Sequence, residues 1–562
     1  MEIFLTDYFL KKSHRGEVCY GHNGGGFDFL PFMNLLLWRQ HIIEKKLKTA
    51  IHPSLIIPSN GAILQIGLRD GKGHAWYLRD SFSLFAYSLD KLTKGFNVPH
   101  IKWSKERKEA LMRLPFKGNE GSWKEYCMND AVGLYESIAE YKRIIESLGG
   151  HVQLTTPMTS LDLFRCKYLK QDLPNYRPYE HMIRPAYFGG RTEIYNLWAN
   201  PDDGPFHYYD VKGMYMNVMR ENIFPVGLPH YVKITSPGDF KDQCGFALCV
   251  IHCPEMYLPL IPYRDQWNNN KLLFPYGRWV GWYDFAHLYK AWELGYKLEI
   301  QKAYIFPEAE RIFRPYMSDM LDIRRTAAKG ALGETAKLMG NSLYGKFVQH
   351  REREEILIDP PDLKPGMRLY DDELNIWMKK GETRAGHILP AIGCRVTALA
   401  QICLYDFMSN ALDKGSRIYY CDTDSIMSNA SLPHSDSTLG MLDIKLTFSE
   451  GIFLFPKTYA WIDTKGVFGM RYKGVPMTDF EGNKLCEMTW QDFKDALHDG
   501  DMSNFAKEYD APLKFKTALK KAQELHDQNV FRSDWKKKSI KSFYDKRIIQ
   551  PDSDTLPFCI KQ

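Results

Sequence analysis

The sequence predicts a multidomain protein of the α+β or α/β class. Its 562 residues exceed what one ordinary hydrophobic core can hold, so we expect several domains. Apolar residues make up 44% of the chain and aromatic residues 14%, which is typical of well-packed globular proteins. Strand-like and helix-like stretches alternate through residues 226–320, whereas residues 395–412 have a helical pattern.

The stretch from Tyr420 to Ser425 is the one around which the other candidate residues are organised. Apolar residues on both sides predict two short strands that meet at a tight turn. Asp422 and Asp424 are one residue apart, so in an extended segment their carboxylates project to the same side and repel each other. A divalent cation such as Mg²⁺ relieves that repulsion, because it prefers oxygen ligands and also holds phosphates. An acidic surface hairpin explains this stretch equally well on its own.

Composition argues against several classes of protein. No run of about 18 apolar residues occurs, so we predict no membrane span. Residues 1–7 lack the basic start and the cleavage site of a signal peptide. The eleven cysteines are scattered and odd in number, which favours a reducing, intracellular compartment over a disulfide scaffold. The cysteine cluster at residues 244–253 lacks a second pair, so we do not expect zinc there.

Positive charge is concentrated near the C-terminus. The net charge is +6, and residues 514–547 contain eleven Lys or Arg and four Asp or Glu, a local excess of seven. Five aromatic residues alternate with this charge: Phe515, Phe531, Trp535, Phe543 and Tyr544. The block is typical of a surface for a nucleic-acid backbone, and a solvated helical face fits the same pattern equally well.

The first 150 residues contain two candidate sites. Asn23 is followed by three glycines and then by Asp28, which predicts a tight turn or a close backbone approach before a helix. Tyr126 and Asp130 are four residues apart at the start of a predicted helix, so a hydroxyl and a carboxylate share one face. Each pattern alone is more typical of a helix start than of a site.

Two further patterns lie near residue 200. Tyr187 is followed by Gly189 and Gly190, which suits a loop that approaches the phosphates of another chain and suits an ordinary turn equally well. Asp210 ends a strand-like run, where a carboxylate is well placed to bind a metal, and Tyr215 follows just beyond it.

One helical face in the second half of the chain carries polar groups. Lys337, Asn341 and Tyr344 fall at positions i, i+4 and i+7, so they form a stripe that offers a cation, an amide and an aromatic plane. A plain solvated face would show the same stripe. Three basic residues lie upstream, and their spacing does not distinguish them: Arg324, Arg325 and Lys329.

In their order along the chain, these motifs resemble those of family B DNA polymerases. The matching stretches are Asp210 to Tyr215 for motif A, Lys337 to Gly345 for motif B, Tyr420 to Ser425 for motif C, and Lys457-Thr458-Tyr459 for the KxY motif. Tyr187 to Gly190 resembles the YxGG loop between exonuclease and polymerase domains. Insertions near residues 226–320 and 351–390 make the chain similar to the protein-primed subgroup of phages and linear plasmids.

The resemblance implies two-metal phosphoryl transfer with two Mg²⁺ ions, for which Mn²⁺ can substitute. It makes Asp210 and Asp424 direct metal ligands, places Asp422 beside them, and lets the carbonyl of Val211 complete a site. These four residues are the expected catalytic and metal-binding set.

The resemblance also assigns residues to the incoming dNTP and to DNA. The expected nucleotide-binding residues are Lys337 and Arg325 at the triphosphate, Asn341 on the same face, Tyr344 at the nascent base pair, and Tyr215 under the sugar, where it would exclude a 2′-hydroxyl. The expected DNA-binding residues are Lys457 and Tyr459 at the primer terminus, with Tyr187, Gly189 and Gly190 at the template strand.

A right-hand polymerase with palm, fingers and thumb is implied, preceded by a ribonuclease-H-like 3′–5′ exonuclease domain. The expected division is an exonuclease domain at 1–150, a linker with the YxGG loop and the start of the palm at 151–225, a first insertion with palm at 226–320, fingers at 321–350, a second insertion at 351–390, palm at 391–490, and thumb at 491–562.

One exonuclease motif departs from the family pattern. An Asp-x-Glu that supplies two metal ligands is expected some tens of residues before Asp28, but only 27 residues precede it. We therefore expect a chain that is incomplete at its N-terminus or has lost this motif, and exonuclease activity in doubt. The residues left for that activity would be Asn23, Asp28, Tyr126 and Asp130.

Three alternatives stay open. The first is an RNA-making polymerase, although such an enzyme usually has adjacent aspartates in motif C. The second is a catalytically decayed relative that only binds DNA, although decay would be expected to remove its costly buried charges first. Priming by a nucleic acid is opposed by the insertions alone. We expect template and primer DNA, dNTPs and a terminal protein as partners, no membrane, and a monomer in the host cytoplasm or in an organelle that carries the replicon.

Overall fold

The computed structural model of the chain describes residues 1–58, 61–327, 330–349, 352–382, 388–474, 488–500, 502–512, 515–525, 533–539 and 544–561. Helices and strands alternate along these ranges, which confirms the mixed α and β class. In chain order, the described α-helices are α1 (Leu30–Trp38), α2 (Gln40–Leu47), α3 (Leu89–Gly95), α4 (Lys105–Met112), α5 (Glu120–Ser147), α6 (Thr156–Leu163), α7 (Glu180–Ile183), α8 (Met214–Glu221), α9 (Phe285–Glu293), α10 (Arg314–Thr326), α11 (Ala331–Phe347), α12 (Pro390–Asp413), α13 (Trp490–His498) and α14 (Phe515–Leu525).

The strands are short and belong to several sheets. In chain order they are β1 (Val18–Gly21), β2 (Ile51–Ile56), β3 (Gln65–Asp70), β4 (Ala75–Asp80), β5 (Thr192–Ile194), β6 (Trp198–Ala199), β7 (Phe206–Val211), β8 (Phe224–Pro225), β9 (His230–Val232), β10 (Gly245–Cys253), β11 (Tyr263–Asp265), β12 (Lys271–Leu273), β13 (Tyr276–Asp284), β14 (Lys297–Ile305), β15 (Ala309–Glu310), β16 (Glu352–Ile358), β17 (Met367–Asp371), β18 (Ile376–Glu382), β19 (Ile418–Asp422), β20 (Ser425–Ser428), β21 (Leu442–Phe455), β22 (Thr458–Asp463), β23 (Phe468–Arg471), β24 (Ala506–Pro512), β25 (Ser533–Ser539), β26 (Ile548–Ile549), β27 (Thr555–Leu556) and β28 (Cys559–Lys561).

The largest sheet has eight strands in the order β23-β22-β21-β7-β20-β19-β5, with β6 beside β21. Its strand pairings are antiparallel, as expected for the palm of a right-hand polymerase. β7 lies between β20 and β21, and its residue Asp210 is opposite Ser425 on one side and Asp443 on the other. The pairing therefore brings three distant parts of the sequence together at one end of the central strands.

The helix α12 forms much of the core behind this sheet. It packs against α8, α9 and α11, and its side chains are buried on most sides, as expected for a helix that is apolar all round. Within the part of the chain that the structure describes, α12 is the one helix long and apolar enough to cross a membrane, and 72% of its most apolar stretch is buried. That burial is typical of a core helix.

The first segment of the chain and the insertion near residues 351–390 share one sheet. The order of this seven-stranded sheet is β1-β4-β3-β2-β16-β18-β17. β16 pairs with β18, which also forms a hairpin with β17, and the other edge of β16 pairs with β2. The side chains of Ile356 and Met378 belong to the hydrophobic core of the first segment. The sequence alone does not predict this second pairing.

Two aromatic residues of the basic C-terminal block are buried. Phe515 is 1% exposed and packs into the core of the first segment, and Tyr544 is 5% exposed and packs under the large sheet. Two aromatic residues of the block, Phe531 and Phe543, lie outside the described residues, as does the side chain of Trp535. The expectation that aromatic residues and charge alternate on a DNA surface is therefore wrong at Phe515 and Tyr544.

The C-terminal residues complete a sheet formed by the first insertion. β9, β10, β13 and β14 form a five-stranded sheet with β28, which pairs in parallel with β13 at its edge. The polypeptide from residue 544 to residue 561 thus runs from beneath the large sheet to the edge of this smaller one.

We predict that Gly25→Ala destabilises the first segment. A Cβ at this position would lie 2.0 Å from the carbonyl oxygen of Ile63, and the backbone N–H of Gly25 donates to the buried carboxylate of Asp80 at 3.2 Å. Because the backbone cannot move away without losing that bond, the free energy of unfolding should fall by about 1–3 kcal/mol. Urea unfolding followed by tryptophan fluorescence measures this change.

The matched control is Gly121→Ala in the first turn of α5. Nothing lies within 4 Å of a Cβ added there, so the free energy of unfolding should stay the same or rise by less than about 1 kcal/mol. Equal effects of the two substitutions would contradict the close approach at Gly25.

Candidate active site

Strand ends and a helix face surround a cavity of about 220 Å³. β7 ends directly after Asp210, and the turn between β19 and β20 contains Asp424. The residues that line the cavity are the cations Lys212, Arg324, Lys337 and Lys445, the acids Asp210, Asp424 and Asp443, and Gly213, Met214, Tyr215 and Asn341.

The turn at residues 422–425 is tighter than an extended segment. Thr423 has a φ of 61°, and the backbone N–H of Asp424 donates to the carbonyl of Asp422 at 2.6 Å. The N–H of Thr423 donates to the carbonyl of Arg191 at 2.7 Å. The sequence argument placed both carboxylates on one side of a strand. It is wrong in that detail, because the turn gives the two aspartates different partners.

Asp422 is held by hydroxyl groups and by a lysine. Its carboxylate accepts from the hydroxyls of Thr192 and Thr423 at 3.1 Å each and from that of Tyr420 at 3.3 Å. The ammonium of Lys457 lies 3.4 Å from its second oxygen. Asp422 does not line the cavity, so its position fits a supporting acid better than a direct ligand.

Asp210 and Asp424 face the cavity together. Burial raises the pKa of Asp424 to about 6, and the neighbouring negative charge of Asp210 adds to that rise. Burial also raises the pKa of Asp210, which Lys445 and then Lys337 partly offset. The backbone N–H of Val211 donates to the carbonyl of Asp424 at 2.7 Å and fixes their spacing.

These donors fit a hard divalent cation. Carboxylate and backbone carbonyl oxygens are the ligands that Mg²⁺ and Mn²⁺ prefer, and a bound cation would relieve the repulsion that raises the pKa of Asp424. No cysteine or histidine lines the cavity among the described residues. The arrangement is therefore suited to holding metal ions beside phosphate groups.

The predicted stripe on α11 faces this cavity. Lys337 and Asn341 line it, and the ring of Tyr344 stacks on that of Tyr215 with centroids 4.4 Å apart and planes 5° from parallel. A hydrogen bond joins the two hydroxyl-bearing rings, and burial strongly raises the pKa of Tyr215. The stripe is thus part of the site and not a plain solvated face.

The structure favours Arg324 over Arg325. Arg324 lines the cavity, whereas Arg325 is 66% exposed and lies 3.6 Å from Asp322 on its own helix. Lys329, the third basic residue that spacing left open, lies outside the described residues. The prediction of Arg325 as the second triphosphate contact is therefore replaced by Arg324.

The loop from Tyr187 to Gly190 packs against the catalytic turn. A Cβ on Gly190 would lie 2.6 Å from the hydroxyl of Thr423. The carbonyl of Gly189 accepts from the side-chain amide of Gln401 at 2.5 Å, and that of Tyr187 accepts from Arg264 at 2.9 Å. The loop makes a close backbone approach to this turn of its own chain, and its contact with the phosphates of another chain stays a prediction.

A buried ion pair lies behind the turn. Arg191 and Glu193 are each 1% exposed, and the Arg191 Nε donates to the Glu193 carboxylate at 2.7 Å. The Arg191 guanidinium also donates to the carbonyl of Pro259, and the hydroxyl of Tyr195 donates to Glu193. Removing one partner of such a pair typically costs about 3–5 kcal/mol, so this cluster holds the backbone that Thr423 contacts.

The KxY residues lie beside motif C. Lys457 occupies the turn before β22 with a φ of 64°, and its N–H donates to the Tyr420 hydroxyl at 2.9 Å. Tyr459 is 7% exposed and packs against the ring of Tyr420. The sequence placed both residues on one side of a strand, but only Tyr459 belongs to the strand.

Several cavity residues escaped the sequence analysis. Asp443 and Lys445 belong to no recognised motif, yet strand pairing brings them to Asp210. Their alternating polar and apolar pattern, Asp443-Ile444-Lys445, marks a half-buried strand. This pattern could have identified them as residues on one face of a strand, although it does not show which strand pairs with theirs.

The first segment brings two of its four candidate residues together. Tyr126 and Asp130 are hydrogen-bonded on α5, and burial with the Asp130 charge raises the pKa of Tyr126 to about 12. Asn23 and Asp28 flank the glycine turn, which ends before α1. Within the described ranges, no hydrogen bond or ion pair joins Asp28 to Asp130.

A residue that the sequence analysis passed over explains the glycine turn. The buried carboxylate of Asp80 accepts from the backbone N–H groups of Gly24 and Gly25 at 3.2 Å each. His22 lies beside it and contacts the Ser81 hydroxyl and the Tyr87 carbonyl. The three glycines therefore allow a close backbone approach to Asp80, as their pattern predicts.

Comparison with known proteins places most of the chain in one group. The family model described as DNA polymerase type B, organellar and viral, matches residues 120–429. A probable DNA polymerase of Ascobolus immersus is 25% identical over 86% of this chain and 44% of its own length, and one of Neurospora intermedia is 29% identical over 81% and 52%. The DNA polymerase of Bacillus phage phi29 is 25% identical, with 74% of each chain covered. This chain thus spans about half the length of the fungal relatives.

Solved structures support the fold. Phi29 DNA polymerase complexed with primer-template DNA and incoming nucleotide matches with a TM-score of 0.67 at 19% identity, covering 93% of this chain and 90% of that one. Its complex with single-stranded DNA matches with a TM-score of 0.60 at 20% identity. The fold is therefore that of a right-hand polymerase with an exonuclease domain.

We predict that Asp424→Asn stabilises the metal-free protein at neutral pH. The folded-state pKa of about 6 exceeds the ordinary value of 3.8, so the charged carboxylate opposes folding above pH 6 and the penalty disappears below pH 4. Asparagine carries no charge, so the free energy of unfolding at pH 7.5 with a chelator should rise by about 1–3 kcal/mol. Urea unfolding at pH 7.5 and at pH 4 measures the difference.

Asp422→Asn is the matched control for this prediction. Its carboxylate is already paired with Lys457 and three hydroxyls, so its loss should lower stability or leave it unchanged. Stabilisation by Asp422→Asn, or none by Asp424→Asn at pH 7.5, would contradict the electrostatic account.

Proposed function

The chain belongs to the organellar and viral type B DNA polymerases, and we propose that it is a template-directed DNA polymerase that adds dNTPs to a primer 3′-hydroxyl. The observation that carries the proposal is the meeting of Asp210 and Asp424 at one cavity whose other walls carry Lys337 and Arg324. Paired acids suit metal-assisted phosphoryl transfer, and the facing cations suit a triphosphate. The solved complex of phi29 polymerase with primer-template DNA and nucleotide supports the same assignment.

Asp210, Asp424 and the carbonyl of Val211 would hold the metal ions, while Asp422 keeps the turn in place. When bound, two Mg²⁺ ions, or Mn²⁺ in their place, supply the charge that activates the primer hydroxyl and stabilises the reacting phosphate. The protein itself contributes a rigid spacing of the acids, set by the bond from Val211 to Asp424.

Lys337 and Arg324 would bind the triphosphate, and Asn341 lies beside them on the same wall. The stacked rings of Tyr215 and Tyr344 occupy the side of the cavity where a sugar and base would enter. Tyr215 would lie under the sugar and leave no room for a 2′-hydroxyl, and Tyr344 would contact the nascent base pair.

Lys457 and Tyr459 would hold the primer terminus, because both contact the strands that carry motif C. The loop of Tyr187, Gly189 and Gly190 would contact the template strand next to the same turn. Both DNA strands would then run along this end of the large sheet.

We infer that the natural primer is a terminal protein and that the enzyme acts as a monomer. The first of the insertions that suggest protein priming contributes four strands to the five-stranded sheet, and the second contributes β16, β17 and β18 to the seven-stranded sheet. Incubation of the polymerase and the replicon's terminal protein with a labelled dNTP tests this step. Label that becomes covalently attached to protein supports it, and extension of nucleic-acid primers alone contradicts it.

We predict that Asp424→Ala abolishes primer extension on a 3′-recessed duplex with dNTPs and Mg²⁺. Losing a ligand at the reacting centre should lower the extension rate by about 10³-fold or more. The matched control is Asp436→Ala in the exposed loop between β20 and β21, which should extend at the wild-type rate.

A wild-type chain that fails to extend the primer would contradict the polymerase proposal. A parallel lane without dNTPs tests the exonuclease. Because residues 1–27 contain no Asp-x-Glu that would supply two further metal ligands, we expect no shortening of the primer in that lane, and shortening would contradict that expectation.

We predict that Tyr215→Val relaxes the choice of sugar. Removing the ring opens the space under the 2′ position, so the ratio of kcat/KM for rNTP to that for dNTP should rise about tenfold or more. Tyr215→Phe keeps the ring that stacks on Tyr344 and should keep the wild-type ratio. An unchanged ratio in Tyr215→Val would remove Tyr215 from this role.

A further inference from the structure

The start of β21 lies against the strand that carries Asp210. Lys212 exchanges two backbone hydrogen bonds with the loop before β21, donating to Met441 and accepting from Gly440 at 2.9 Å each. This tie sets the antiparallel register that puts Asp443 opposite Asp210. Residues that are directly opposite in such a pair lie on the same face of the sheet, so Asp443 faces the cavity.

Lys445 lies two residues after Asp443 in the same strand, so it projects to the same face. Ile444 pairs with Tyr209 and Leu446 with Tyr208, which leaves Lys445 as the extra residue of a β-bulge between them. Bulges of this kind are common next to active sites. Lys445 accordingly lines the cavity, with its ammonium 2.5 Å from a carboxylate oxygen of Asp443.

The pair of Lys445 and Asp443 contributes little as a structural ion pair. The Lys445 side chain is 44% exposed, and exposed or half-exposed pairs add at most about 1 kcal/mol to stability. Lys445 lines the cavity together with Lys337, although only Lys337 belongs to a predicted motif. Its position in the cavity therefore calls for a role in binding.

The charges of the cavity indicate the ligand. Lys337 and Arg324 approach from the helices α11 and α10, whereas Lys445 approaches from the sheet. A flexible lysine is a point charge that suits phosphate oxygens, which accept charge-assisted hydrogen bonds from it. A triphosphate with four negative charges would be held from both walls.

We propose that Lys445 is a third triphosphate-binding cation, which leaves Asp443 when a nucleotide enters and contacts its terminal phosphate. This inference rests on the proposed polymerase function and adds a residue that lies outside the motifs of the sequence analysis. The terminal phosphate is the expected contact because Lys445 approaches from the wall opposite the helix cations.

The test measures nucleotide binding without turnover. A primer that ends in a dideoxynucleotide is annealed to a template with 2-aminopurine next to the coding base, and Kd is measured in Mg²⁺ for the correct dNTP and for its dNDP. The proteins are wild type, Lys445→Met, Lys445→Arg and the control Lys465→Met, whose lysine is exposed in the turn between β22 and β23.

Lys445→Met should weaken dNTP binding about fivefold or more and dNDP binding less than about twofold, while Lys445→Arg stays close to wild type. Lys465→Met should match wild type for both ligands. Unchanged dNTP affinity in Lys445→Met, equal losses for dNTP and dNDP, or a change in the Mg²⁺ requirement alone would overturn the proposal. Wild-type protein that binds no dNTP on this duplex would instead overturn the proposed function.

Discussion

The structure depends on bringing two like charges together where neither is fully solvated. Asp210 lies near the end of β7 and Asp424 lies in the turn before β20, the antiparallel neighbour of β7, and burial raises the pKa of both. Such a pair is unfavourable for folding unless cations compensate it. Lys337 from the helix side and Lys445 from the sheet side partly do so in the protein itself. A divalent ion would complete the compensation, which links folding energetics directly to the chemistry proposed for the cavity.

The rest of the fold holds this pair in place from behind. The turn that carries Asp424 is fixed by the carbonyl of Arg191, and Arg191 is fixed by its buried pair with Glu193. The C-terminal segment adds a second layer, because the Tyr544 hydroxyl accepts from the backbone of Ile194 and buried Arg547 contacts Thr555. The segment after residue 544 is therefore a structural support of the site as well as the end of the chain. The proposed thumb and the palm are joined through these contacts.

The sequence predicts what is local and misses what depends on pairing. Short patterns predict the helical stripe of Lys337 and the strand end at Asp210, because each of these features lies within one element. The fold class follows from the alternation of such elements along the chain. Arg324 and Arg325 are neighbours on one helix and differ in which side of that helix faces the cavity. The spacing of the sequence therefore could not show which of them lines it. Asp443 and Lys445 depend on the register of β21 and on one bulge, which no local pattern specifies. Asp422 and Asp424 have different partners because the backbone of Thr423 between them has a positive φ. The sequence does not predict this conformation.

Counting bound metal ions tests the central claim most directly. Mn²⁺ titration followed by electron paramagnetic resonance, with dideoxy-terminated primer-template and dNTP present, reports the number of ions held per protein. The account predicts about two ions in the wild type and fewer in both Asp210→Asn and Asp424→Asn. Asp436→Asn, in an exposed loop, should bind the wild-type number. Unchanged stoichiometry in the two cavity variants would contradict the assignment of these carboxylates as the metal site.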